Sequence, residues 1–543
     1  MTRRSPLSPC SRVLWAALSS GLLSGPAIAQ TKPSEAELFG APAVAQESLT
    51  TSRDLATAPA HAPDSEGALR SDAAGTAPEP ARSDARDAAI LGAPASPVLS
   101  LQRAPADPLT IGGLLYLRTQ ASALEKQRVA DYSFRMPSLL DVFFDARPND
   151  RVRGFVLGRM TYDPTLPDST SAVPDAKTLG TGTYGFSGTS GSAALSSLVS
   201  PQTSAPRVYL DQLWVRFDLG KTLFITAGRQ HVRWGTARFW MPADFLHTRR
   251  RNPLDLFDAR TGTTMVKVHL PIESLAWNFY AYAVTENEGG TPSLSDIAGA
   301  ARAEFVLGPS ELGLGAFLRR HGKPKYAADL SLGLGPFDLY GEFALVDASN
   351  IDRVGYRPDA TPAQLPSGQT TDEQTAAVKQ LVAAVFPVYR VLGYRWQAAA
   401  GLSLSCKYND NDTFTLGAEY FYNTLGYPNA DFYPGLILPH PQALHSPVSF
   451  FYLGEHYGAV FMSFPAPFKA DLHSFTLSAL GNLSDRSYIA RFDYTYTLLT
   501  HLRFELFVSG HYGERSGEFR LGFDLLKRPP ALFDVGLALR LST

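Results

Sequence analysis

The sequence predicts an all-β chain: a transmembrane antiparallel up-and-down β-barrel of about 18 strands (16–20), preceded by a signal peptide and a disordered arm. Three observations predict it. Long stretches alternate apolar and polar residues with a period of two, no run of 18 apolar residues follows Leu23, and connections alternate between short and long. With 45% hydrophobic and 18% charged side chains in 543 residues, there is ample material for a large ordered body. The 49 Lys+Arg against 51 Asp+Glu argue against a nucleic-acid partner, which a basic stripe would announce. Two cysteines are too few for a disulfide scaffold or a Cys-rich zinc site.

Arg3, Arg4 and Arg12 lead into an apolar stretch over 13–23 and then Ala27-Ile28-Ala29. This is the layout of a secretory signal peptide spanning 1–29; about eleven apolar residues are too few to cross a bilayer, which takes roughly 20. Removing it leaves 46 basic and 51 acidic groups and a single cysteine, Cys406. Residues 30–107 are rich in Ala, Pro, Ser and Asp, and Phe39 is their only aromatic side chain. Such a segment cannot offset the entropy of ordering it, and it reads as a periplasmic arm.

From residue 108 onward the period-two pattern takes over. In 396–408 one face reads Trp396, Ala398, Ala400, Leu402, Leu404, Cys406, Tyr408, and the other Gln397, Ala399, Gly401, Ser403, Ser405, Lys407. A helix would mix the two sets. After Asn409-Asp410-Asn411-Asp412 the pattern resumes with Phe414, Leu416, Ala418, Tyr420 and Tyr422 on one side. Residues 312–320, 326–334 and 337–346 repeat it, joined by His321-Gly322-Lys323 and Gly335-Pro336, both turn signals. So do 488–498, 502–512 and 533–541.

A soluble sandwich also alternates, but its strands run about five or six residues. A tilted outer-membrane strand needs about 9–11. Trp396 and Tyr408, at about 3.3 Å per residue and a 45° tilt, lie roughly 28 Å apart along the membrane normal, near the ~25 Å apolar band between aromatic girdles. An open edge in hydrocarbon would strand backbone groups, so the sheet must close. Short turns at Gly220-Lys221 and long loops at 164–206 and 231–261 give the two unlike ends of such a barrel. With both ends of the barrel segment on the periplasmic side the count is even, and 517–525 falls into the last outer loop. Barrels of 16–18 strands are wide enough for an aqueous channel.

The most unusual stretch is 226–262. It holds Arg229, Arg233, Arg238, Arg249, Arg250, Arg251 and Arg260, interleaved with Trp234, Phe239 and Trp240, and the acids Asp244, Asp255 and Asp258. Folded into the lumen, guanidinium groups over aromatic faces would constrict a pore and line it for anionic or sugar-like solutes. The same groups could equally brace the wall as ion pairs. Inward-facing strand positions supply further lumen candidates: Arg153, Arg159, Glu304, Glu342, Glu419, Arg491, Asp493, Arg503 and Glu505.

The segment G-R-Q-x-x-x-W-G-x-A at 228–237, followed by Pro242 and Asp244, resembles porin-type outer-membrane β-barrel proteins of Gram-negative bacteria. The stretches AEYFYNTLGY (418–427), YLGEHYGAVF (452–461) and LGNLSDRS (480–487) extend the resemblance over most of the barrel. It implies a passive outer-membrane pore and transfers no substrate or binding residue. Such barrels usually end in an aromatic residue read by the assembly machinery, whereas this chain ends Leu541-Ser542-Thr543.

Catalytic readings find little support. His456 and His511 lie in strand-like segments without a serine that spacing would pair with them. His440 and His445 would need further ligands to hold a metal, and 409–412 lacks the Gly and closing Glu of a calcium loop. The sequence thus points to a non-enzymatic channel without metal or cofactor. Small polar solutes would diffuse through it with a mild anion preference, and its partners would be outer-membrane lipid and the assembly machinery. The alternative is a non-conducting scaffold barrel whose long loops bind a partner or matrix polymer. Neither the solute nor the oligomeric state is encoded in any motif.

Overall fold

In a computed structural model, the protein is described over residues 108–166, 206–247, 250–254, 260–285, 296–320, 322–349, 351–359, 379–408, 413–437, 449–467, 470–522 and 529–543. The leader and arm at 1–107, the turn at 409–412, and His440 and His445 lie outside the described residues.

One sheet closes on itself. Its first six long strands are β1 (Leu109–Leu124), β2 (Ser138–Asn149), β3 (Val152–Tyr162), β4 (Arg207–Leu219), β5 (Leu223–Gln230) and β6 (Thr263–Ile272). Then come β7 (Trp277–Val284), β8 (Ala298–Leu307), β9 (Ser310–Leu318), β10 (Lys325–Leu334), β11 (Phe337–Asp347) and β12 (Tyr394–Lys407). The last six are β13 (Thr413–Asn423), β14 (His456–Pro465), β15 (His473–Asn482), β16 (Ser487–Leu499), β17 (Leu502–Gly513) and β18 (Ala531–Ser542). Each strand pairs antiparallel with its neighbours in sequence, and β18 pairs with β1 from Leu114↔Ser542 to Leu124↔Ala531. Thr543 continues the seam, its N–H donating to Gly113 O at 3.1 Å. The ring therefore has 18 strands and no free edge, as backbone in hydrocarbon requires. The short strand Ser133–Arg135 adds a patch of pairing to β1.

The two ends differ. On one, connections run from two residues (308–309) to seven (466–472); on the other lie 163–206, 231–262, 348–393 and 424–455. Both ends of the barrel segment sit at the short-turn end.

The two faces differ just as sharply. Leu330, Leu402, Leu477 and Leu537 stand 44–46% exposed on the outer face, while their sequence neighbours Asp329, Ser331, Ser403 and Ser478 are buried inside. A continuous apolar skin around a polar interior is stable in hydrocarbon, and in water it would be a very large exposed patch. Among the described residues no helix is long and apolar enough to cross a membrane. Cys406 keeps the outward parity the alternation predicts, but it is covered rather than exposed.

The interior departs from a small, sparsely charged lining. It carries Arg159 against Asp141 (2.7 Å), Arg302 against Asp329 (2.7 Å) and Arg540 against Glu505 (3.0 Å), all buried. Each of these three cations is answered by an anion, because an uncompensated buried charge is costly. The outer half is filled by loops. A cluster of Phe239, Trp240, Phe421, Tyr433, Phe451 and Tyr457 packs against the β11–β16 wall, and a second around Trp234, Tyr282 and Phe317 packs against β6–β9.

Candidate functional site: the inward loop and its charged wall

The connection from β5 to β6 turns into the barrel. Both glycines of the G-R-Q-x-x-x-W-G segment are required by geometry. Gly228 has φ +126°, and a Cβ there would lie 2.1 Å from Leu213 O. Gly235 has φ +101°, and a Cβ would meet Glu342 Oε1 at 2.2 Å. Only glycine accepts this combination of left-handed backbone and close approach.

Irregular backbone inside a barrel has no sheet partner, so other groups must satisfy its N–H donors. Two carboxylates do so. Glu342 on β11 accepts from Ala237 N (2.6 Å) and Ala243 N (3.3 Å). Glu419 on β13 accepts from Arg238 N (2.8 Å), Phe239 N (3.2 Å) and Trp240 N (2.9 Å), and from Tyr340 OH (3.1 Å). Between them they hold five consecutive or near-consecutive amides. Trp240 then stacks on Phe421 (centroids 5.6 Å, 11°) and donates from Nε1 to Phe451 O at 2.8 Å. Trp234 packs edge-on against Tyr282 and Phe245.

The base of the loop is tied by charge. A register shift between Leu157 and Gly158 makes Asp211 a bulge residue, so both Asp211 and Gln212 point inward between outward Leu210 and Leu213. Asp211 reaches His231 (3.2 Å) and the Gly262 N–H (3.2 Å), with Arg159 at 3.7 Å. Deeper in the loop, Asp244 bonds His247 (3.0 Å) and Arg260 (2.9 Å). Burial pushes the Asp244 carboxyl up, but the charges of His247 and Arg260 outweigh it and hold it well below the usual carboxylate range.

Arg250 donates to Met241 O (3.3 Å) and Gln397 Oε1 (3.1 Å), with its guanidinium 5.4 Å from the Tyr452 ring. Burial raises the Tyr452 phenol to about 12, against the opposing pull of Arg250, Arg260 and Arg251. Arg238 lies over Phe461 at 4.9 Å, and Arg233 donates to Ala237 O.

Of the loop candidates, Arg233, Trp234, Arg238, Asp244, Arg250, Arg251 and Arg260 come together inside the barrel. Arg229 does not join them. It pairs across the sheet with outward Leu213 and with Thr264, and it donates to Leu210 O at 3.0 Å. Arg249, Asp255 and Asp258 lie outside the described residues.

The strand candidates all have inward parity. Arg153 pairs with Asp145 (2.9 Å), Glu304 with Arg302 (2.8 Å) and Arg491 with Asp493 (2.7 Å), while Arg503 faces Arg540 across the β17–β18 pair. Glu342 and Glu419 are the loop anchors described above. Sequence reasoning missed Arg118 and Arg540 on the same wall. The guanidiniums of Arg118 and Arg491 lie 4.3 and 4.5 Å from the Phe507 centroid, and Arg491 also donates to Leu254 O of the loop (3.2 Å). Their signal was available: each is a charge at the polar position of an alternating strand. The result is an arginine-rich strip on β16–β18 and β1, partly balanced by Asp493 and Glu505, beside an apolar fill on β6–β9 and β11–β16.

No protein family and no curated protein matches this chain. Among solved structures it is similar to OccAB4 of Acinetobacter baumannii, with TM-score 0.43 and 9% identity over 80% of this chain and 98% of that one. OccK8 (OprE) of Pseudomonas aeruginosa gives TM-score 0.43 and 8% identity, over 80% and 98% of the two chains. A triple mutant of the Rhodopseudomonas blastica porin gives 0.34 and 9%, over 80% and 100%. These likenesses are low, and the barrel rests on its own strand pairing.

Proposed function

We propose that the protein is an outer-membrane channel for passive diffusion of small polar solutes, constricted by the 231–262 loop. The observation that carries this reading is the pinned loop. A closed ring of 18 strands is wide enough for an aqueous path, and a loop held by wall carboxylates would narrow it. Arg118, Arg491, Arg503 and Arg540 on the β16–β18 and β1 wall, with Arg250, Arg251 and Arg260 of the loop, outnumber the acids paired with them, Asp493, Glu505 and Asp244, and support a mild preference for anions. Residues 1–29 would be the removed signal peptide, 30–107 a periplasmic arm and 108–543 the barrel, with the short turns facing the periplasm. Membrane lipid, the assembly machinery and the diffusing solutes are the partners of this reading, which involves no catalysis.

Planar-bilayer recording tests it. The expected result is an open conductance with a reversal potential displaced toward the anion in a salt gradient, reduced by Arg250→Ala or Arg251→Ala. An ion-conducting pore indifferent to charge, unchanged by these variants, removes the anion preference. A second reading is favoured by the aromatic fill of the outer half, centred on Trp240, Phe421 and Tyr457: a non-conducting barrel whose long loops bind a partner. Absence of any conductance would select it.

A further inference from the structure

The hairpin tip between β9 and β10 carries Arg319, Arg320, Lys323 and Lys325 within seven residues and no acid. Two of these turn inward, Arg319 and Lys325 lying 5.8 and 5.4 Å from the Phe317 centroid. The other two, Arg320 and Lys323, are exposed. Lys323 Nζ stands 5.8 Å from the centre of the Tyr394 ring. Directly below, Tyr326 (46% exposed), Phe343 (43%), Tyr394 and Trp396 (42%) form an outward aromatic plate at the long-loop end of β10–β12.

Above the plate a separate two-stranded antiparallel ladder pairs Asp352–Val354 with Val388–Arg390. There Leu392 is 77% exposed and the Arg390 side chain 58%. The two acids that approach these cations among the described residues are withdrawn: Asp347 lies 3.8 Å from Lys323 and Asp352 lies 3.6 Å from Arg390, both side chains at most 10% exposed. Both separations exceed a hydrogen bond, so the solvent-facing side of each cation remains available.

We propose that this rim binds the phosphorylated headgroup of an anionic outer-leaflet glycolipid, with Arg320, Lys323 and Arg390 on the phosphates and Tyr326, Tyr394 and Leu392 against its apolar part. The occupant follows from position and charge. An aromatic belt marks where hydrocarbon meets headgroups, and three exposed cations just above it stand at phosphate height. Leu392, 77% exposed beyond the belt, would be covered by a lipid that rises around it. The proposal rests on the membrane reading of the barrel but not on conductance.

The test uses the full chain in non-ionic detergent micelles, with diphosphoryl lipid A as the probe and its dephosphorylated form as the control ligand. Binding is counted by native mass spectrometry and titrated for affinity. The wild type is expected to prefer the phosphorylated form, less so at high salt. The variant R320Q/K323Q/R390Q is expected to lose about a hundredfold in affinity, at about fivefold per cation. The control variant R151Q/K221Q, on the short-turn rim, is expected to bind as the wild type does. Heat-modifiable gel migration confirms that each variant is a closed barrel. Equal binding of the two lipids, wild-type affinity in the triple variant, or full displacement by equimolar inorganic phosphate would each overturn the proposal. A chain that stays soluble without detergent would instead sink the membrane reading, and a conductance defect would bear on neither.

Discussion

Replacing Glu419 with alanine removes the acceptor for three loop amides and a tyrosine hydroxyl in one step. Hydrogen bonds to a charged group contribute about 1.5–3 kcal/mol each, and a buried donor left unmatched costs about 1–3 kcal/mol. Four such losses do not add, because the loop can leave its seat and hydrate its amides. Breaking a buried charged network costs about 3–5 kcal/mol, which we take as the ceiling. At about 4 kcal/mol the ratio of released to seated loop rises roughly a thousandfold. Single-channel recording in planar bilayers is the assay. Glu419→Ala should raise the open conductance and add current noise from a loop that no longer holds one position. Glu419→Gln, which keeps one acceptor oxygen, should fall between the two. If Glu419→Ala shows the conductance, noise and selectivity of the wild type, the loop is not held by this carboxylate and the constriction is wrongly placed.

Gly235→Ala should unseat the same loop for another reason, since its Cβ would fall on the Glu342 carboxylate in a left-handed backbone worth about 1–3 kcal/mol of strain; conductance noise like that of Glu419→Ala is the readout. Trp240→Ala should cost about 3–5 kcal/mol through the vacated stack on Phe421 and the lost bond to Phe451 O, read as a lower midpoint of heat-induced unfolding on gels. Glu518, in the 514–530 loop, accepts from Tyr457 OH (2.6 Å), Asn482 Nδ2 (2.9 Å) and Phe451 N, and burial together with neighbouring Asp485 pushes it up to about 8. For an acid raised in the seated state the sign is fixed: the seated loop keeps its proton while the released one gives it up. Its hold therefore weakens from about pH 4.5 to 8, by up to about 1.4 kcal/mol per pH unit, and is level above. Hydrogen exchange of the 514–522 amides should be slowest at acid pH after correction for intrinsic rates, and Glu518→Gln should flatten the profile; a wild-type profile without slope would refute this.

Much of the barrel is legible because its cause is local. Leu402 and Ser403 are assigned to opposite faces by their spacing alone, and the even strand number follows from the two unlike ends. The inward loop is legible as a composition, since so many arginines and tryptophans have no place on a lipid-facing strand. Its anchors are not legible. Glu342 and Glu419 stand 105 and 181 residues from the amides they hold, and nothing local distinguishes them from any other inward acid. Arg229 shows the opposite case: charge drew attention to it, while its parity on β5 places it on the outer face beside Leu213. The bulge that turns Asp211 inward breaks the period of two, and a reading by alternation has no term for an extra residue.

The grip on the inward loop is taken on the main chain. Every residue type except proline offers the same amide, so, Gly235 against Glu342 apart, the two carboxylates hold Ala237 and Arg238 by groups that any side chain would leave in place. Arg238 could become another residue, and the segment would still lie where it lies. Evolution, or an engineer, is thereby given a fixed scaffold with replaceable fittings: a side chain such as Arg238 can be exchanged without redrawing the loop's path.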